Sequence, residues 1–140
     1  MNMFEKLTQQ NRITPPFGHK VKLNNTTFNM TDVEEIKFII SFDKVIVEIN
    51  DDQIASFTFN ENALREFGVK GLIMPTYEEL MNIPGTHSYS CGFFVDSNFS
   101  KNIIFFVTDN EGFDEKINLN VIFKNILYVL KKAYNRHQNY

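Results

Sequence analysis

Between residues 34 and 59 the chain alternates apolar and polar residues so regularly that few folds remain open to it. Ile36, Phe38, Ile40 and Phe42 fall on every second position, the two-residue period of a β-strand with one buried face. Asp43-Lys44 suits a tight turn, after which Val45, Val47 and Ile49 resume the alternation. Asn50-Asp-Asp-Gln53 is a second turn by composition, because Asx side chains bond to nearby backbone amides. Ala55, Phe57 and Phe59 then continue the pattern on a third strand. Connections this short force the strands antiparallel, since a parallel return needs a crossover of about a dozen residues or more. A three-strand meander is expected.

The flanking segments are weaker in pattern but still specific. Residues 3–10 suit a short helix with Phe4 and Leu7 inward, and Pro15-Pro16 and Gly18 end it. A strand through Val21 and Leu23, a turn at Asn24-Asn25 and a second strand over Thr26 to Met30 follow. Asn60 suits the N-cap of a helix over 61–67, with Gly68 as its stop. Thr76 and Glu79 have capping-box spacing for a second helix over 77–83, which Pro84-Gly85 would end. Tyr89, Cys91, Phe93 and Val95 alternate on one strand of a hairpin, Asp96-Ser-Asn98 turns, and Ile103, Phe105 and Val107 alternate on the return. Asp109-Asn-Glu-Gly112 is a further turn. On a helical wheel over 119–136, Leu119, Ile122, Phe123, Ile126, Leu127, Leu130, Ala133 and Tyr134 share one broad arc, the stripe of a helix laid on a sheet. The fold class is α+β in one domain spanning 1–140: a mostly antiparallel sheet, meander plus hairpin, covered by a long C-terminal helix with short helices between.

Composition removes whole classes of function. Hydrophobic residues make up 43% and charged residues 22%, ordinary globular usage that argues against disorder. The apolar run Ile103–Val107 is far short of the roughly 18 residues of a membrane-spanning helix. The first residues lack the basic and apolar regions of a secretory signal, so a cytoplasmic location is expected. A single cysteine, Cys91, rules out an internal disulfide. The net charge of −3 and a pI of about 5.6 disfavour nucleic-acid binding, whose affinity comes mostly from neutralising phosphates. Lys20-Val-Lys22 and Lys131-Lys132, the densest basic spots, read as solvated charge. Asn outnumbers even the 15 Phe, and Ala and Arg are scarce, which implies an AT-rich gene such as those of low-GC bacteria, phages or acquired elements.

No catalytic set assembles from sequence. In an extended 87–95 segment His87 and Cys91 share a face but lie about 13 Å apart at roughly 3.3 Å per residue, while proton transfer needs about 3 Å. His19 and His137 are isolated and lack the spacing of a metal site. Phe67-Gly-Val-Lys-Gly71 lacks the spacing of a phosphate loop, and Asp109–Gly112 departs from a calcium loop. Of the acidic groups Asp32/Glu34/Glu35, Asp51/Asp52, Glu78/Glu79, Asp109/Glu111 and Asp114/Glu115, most fall in turns or first helical turns, which suits a solvated acidic rim and not a catalytic pair facing across a cleft. No catalytic residue, cofactor or metal is expected.

What remains is apolar surface without a role. Ile39, Ile46, Phe94, Ile104 and Phe106 are out of register with the inward set, and Val121 and Tyr128 lie on the polar side of the long helix. One helix covers one face of a sheet, so the short helices at 3–10, 61–67 and 77–83 are the expected cover for the second. Whatever they leave open is aromatic surface bordered by acidic turns, a composition suited to binding a partner. The expected function is therefore a non-catalytic protein-binding module, in its concrete form an immunity or inhibitor protein (an antitoxin) that occludes the active site of a bacterial toxin. A toxin attacking nucleic acid is basic, and an acidic inhibitor meets it favourably. The expected contact residues are Asp51, Asp52, Phe94, Phe106, Asp109, Glu111, Asp114 and Glu115. Two alternatives are a secretion-type chaperone, which would be a homodimer, and a small hydrolase or transferase using His87, Cys91 or a carboxylate pair.

Overall fold

Two hairpin-forming runs fold back on themselves and meet edge to edge. The computed structural model describes residues 6, 20–23, 26–29, 33–83, 90–96, 102–108 and 119–138. The meander is formed by β3 (Glu35–Ile40), β4 (Lys44–Ile49) and β5 (Asp52–Thr58), and the hairpin by β6 (Ser90–Asp96) and β7 (Asn102–Thr108). Antiparallel pairing of β3 with β7 joins them into one five-stranded sheet of order β5-β4-β3-β7-β6. Two further strands, β1 (Lys20–Leu23) and β2 (Thr26–Asn29), form their own antiparallel ladder, and β1 runs close to β5.

The turns set the register. The Ser41 amide donates to the Lys44 carbonyl at 2.8 Å, leaving Phe42 and Asp43 as the two-residue loop between β3 and β4. The turn thus falls one residue earlier than Asp43-Lys44, and Phe42 sits in it 38% exposed instead of ending the inward row. Asn50 and Asp51 form the next loop, both with positive φ (49° and 69°), the backbone of a type I′ hairpin turn and one that Asx residues tolerate. Asn50 also accepts the Glu34 and Glu35 amides on its side-chain oxygen at 2.8 and 3.1 Å, tying the turn to the start of β3. Asp52 and Gln53 therefore belong to β5, not to the turn. The ladder passes from Val47↔Ala55 to Glu48↔Gln53, so Ile54 is an extra residue, a β-bulge in the outer strand.

The long helix α3 (Leu119–Gln138) covers one face. Ile36, Phe38, Ile40, Val45, Val47, Ile49, Ile103, Phe105 and Val107 on the sheet meet Ile122, Phe123, Ile126, Leu127, Val129, Leu130 and Tyr134 on the helix in one core. Phe38 stands at its centre, with the Phe105 and Phe123 ring centroids both 6.3 Å away. The Tyr134 hydroxyl donates to the Phe42 carbonyl at 3.0 Å, and burial holds its pKa well above the usual phenol value, so it stays a donor.

The short helices α1 (Glu61–Glu66) and α2 (Tyr77–Met81) begin where the capping signals placed them. Asn60 accepts the Asn62 and Ala63 amides, Gly68 ends α1 at φ +70°, and Thr76 and Glu79 close a capping box. Their position differs from expectation. Ala63, Leu64, Leu80 and Ile83 join the same core as α3, so neither helix covers the second face of the sheet. The cause lies in Phe59, one residue past β5, which is buried with its ring 5.6 Å from Tyr134 and draws the chain to the helix side. The helix expected over 3–10 lies outside the described residues except for Lys6, which pairs with Glu66 of α1.

Glu79 is held twice. Its carboxylate receives two bonds from Arg136 of α3 at 2.8 and 2.9 Å and one from the Thr76 amide at 2.9 Å. The Arg136 bonds foremost, then Thr76, bring its pKa down from 4.5 to about 2. A depressed carboxylate stabilises the fold fully above its ordinary pKa and loses that contribution as pH falls from about 4.5 towards 2. Glu79→Gln should cost about 1 kcal/mol at neutral pH, and the gap to the wild type should close near pH 2 in denaturant titrations. A gap independent of pH would show that charge plays no part.

Candidate binding face

Cross-strand pairing fixes what lies on the face opposite α3. One row runs Ser56↔Ile46↔Ile39↔Ile104↔Phe94 across all five strands. The next runs Glu48↔Lys37↔Phe106↔Gly92. Ile39, Ile46, Ile104 and Phe106 are half-buried and Phe94 is 53% exposed. Among the described residues, the buried side chains of all three helices belong to the core on the other side of the sheet.

The aromatic end is built around a glycine. A Cβ at Gly92 would stand 2.6 Å from Cζ of Phe106, so the missing side chain is what lets that ring lie across β6. The Phe94 ring is tilted against Phe106 with centroids 6.4 Å apart. The ionic end is built around Lys37, whose ammonium meets Asp51 at 2.7 Å and Glu35 at 3.3 Å. The Asp51 bond is the main reason the lysine pKa is raised, with Glu35 acting in the same sense and desolvation opposing both. Since Lys37 pairs with Phe106 across the sheet, a continuous strip joins Asp51, Lys37, Phe106 and Phe94.

Three of the expected contact residues, Asp51, Phe94 and Phe106, thus share one surface. Asp52, the first residue of β5, is exposed beside Asp51. Asp109, Glu111, Asp114 and Glu115 lie outside the described residues. Lys37 and Gly92 went unnoticed in the sequence. A lysine in an apolar alternation and a glycine within a strand are the two signals that mark them.

The residues weighed for catalysis do not assemble among those described. His19 and His87 lie outside them, the Cys91 backbone pairs with Val107 in β6–β7, and His137 is exposed near the end of α3. No cluster of three His, Cys, Asp or Glu suited to a metal occurs among the described residues. A cavity of about 240 Å³ lies between the β3–β4 turn and α1, lined by Phe42, Asp43, Glu61, Leu64, Arg65 and Val69. It falls below the roughly 300 Å³ at which small-molecule sites begin. No helix of the described residues is long and apolar enough to cross a membrane. No family model, curated protein or solved structure matches the chain.

Proposed function

We propose that this protein is a non-catalytic binding module that captures a basic protein domain on the open face of its sheet. In its concrete form it is a bacterial immunity protein acting in the cytoplasm, covering the active site of a toxin. The observation that carries the reading is the row of Ile46, Ile39, Ile104 and Phe94, with Phe106 beside it, on the face opposite α3. Apolar and aromatic side chains bordered by charge make up the centre and margin of an interface. The net charge of −3 favours encounter with a cationic partner through long-range attraction.

The test is co-expression with the product of the adjacent gene, in particular a toxin domain encoded immediately upstream. Co-purification of a stoichiometric complex and rescue of growth are the expected results. A toxin that neither binds the purified protein nor is neutralised by it would remove the immunity reading.

A further inference from the structure

The two edges of the five-stranded sheet are protected differently. On β5 the bulge at Ile54 breaks the ladder, Asp52 and Gln53 add polar bulk, and β1 runs alongside. These are the devices by which sheets discourage pairing with another chain. The opposite edge, β6, reads Ser-Cys-Gly-Phe-Phe-Val-Asp, with no Lys, Arg or Pro, and pairs with β7 through seven residues without interruption. Among the described strands none pairs with its outer side.

Exposed apolar residues gather at that same edge. Phe94 and Val95 of β6 are 53% and 42% exposed, and Tyr77 and Met81 of α2 are 69% and 41% exposed. Helix α2 packs beside β6, its Tyr77 ring 5.7 Å from Phe93. Consecutive strand residues point to opposite faces, so a partner resting on one face would cover Phe94 or Val95 but not both. A strand laid along the edge reaches both.

The sequence of β6 complements itself in one antiparallel register. Centred on Phe93, it sets Phe94 opposite Gly92 of the second copy, Val95 opposite Cys91, and Asp96 opposite Ser90. All seven residues pair and no like charges oppose. Gly92 is the position that Phe106 overlies, so Phe94 of one copy comes to rest beside Phe106 of the other. A shift by one residue would turn Phe94 to the helix side, which the alternation forbids. Pairing about a two-fold axis uses the outer side of β6 in both copies and closes the assembly. We propose that two copies of this chain dimerise through β6, forming one ten-stranded antiparallel sheet. This does not depend on the partner proposed above.

Light scattering of the full chain reads the result directly. The expected mass is two chains against 16.4 kDa for one, with β6 amides gaining hydrogen-exchange protection as concentration rises. Val95→Lys, on the edge and away from the open face, should return the mass to one chain. Ile46→Lys, on the open face and three strands from β6, should leave it at two. A one-chain mass for the wild type at every concentration would overturn the proposal. So would a two-chain mass retained by Val95→Lys with β6 amides unprotected.

Discussion

Phe38→Ala is expected to lose about 3–5 kcal/mol of folding stability, the range for removing a fully buried phenylalanine. The residue is wholly shielded from solvent on the central strand of the sheet. Its ring touches Phe105 on β7 and Phe123 on α3, so one truncation loosens contacts across both layers. The void has little chance to collapse, because Val47 and Phe105 beside it are fixed by backbone ladders on either side. Set against the roughly 5–15 kcal/mol of a typical domain, the loss leaves a marginal fold. Urea denaturation of Phe38→Ala and Ile39→Ala side by side gives the decisive comparison. Adjacent on β3 but facing opposite ways, Ile39 should cost less than half as much. Equal losses would mean that the second face is sealed as tightly as the first, and the binding reading would fail with it.

The second large effect concerns the partner. Phe106→Ala should weaken capture of the basic domain about thirtyfold, the equivalent of about 2 kcal/mol expected at an aromatic hot spot. Phe106 is the sharper choice of the two rings, because it lies on β7 inside the sheet, whereas Phe94 also stands at the β6 edge. Tyr128→Ala serves as the control: Tyr128 is exposed on the outer side of α3 beneath the Lys132 ammonium, 4.7 Å from its ring centroid. Calorimetric titration should show the loss for Phe106→Ala and none for Tyr128→Ala. An unchanged affinity in Phe106→Ala would move the contact off this face.

Much of the architecture was legible because it rests on short-range rules. The inward rows Ile36-Phe38-Ile40, Val45-Val47-Ile49 and Ile103-Phe105-Val107 follow from strict alternation, and each is buried. The α1 and α2 starts follow from Asn60 and Thr76, whose side chains satisfy amides within three residues. From Ile122 to Tyr134 the periodicity of α3 contains every buried residue except Val129. Errors came at boundaries, where one hydrogen bond decides. The Ser41–Lys44 bond ends β3 before Phe42, and the bulge at Ile54 follows the polar run Asn50–Gln53, where there is no alternation for it to interrupt.

Alternation, capping and helical periodicity are local, and through them the amino-acid order alone determined an antiparallel α+β arrangement, the starts of α1 and α2, and the inward rows of β3, β4, β7 and α3. Only the tertiary structure decided the strand order, the side on which α1 and α2 pack, and the meeting of Asp51, Lys37, Phe106 and Phe94 on one surface. Those depend on β3 pairing with β7 across more than sixty residues of chain and on Phe59 anchoring to Tyr134. Such long-range contacts are chosen by how all the apolar surfaces fit together, a balance no window of neighbouring residues contains.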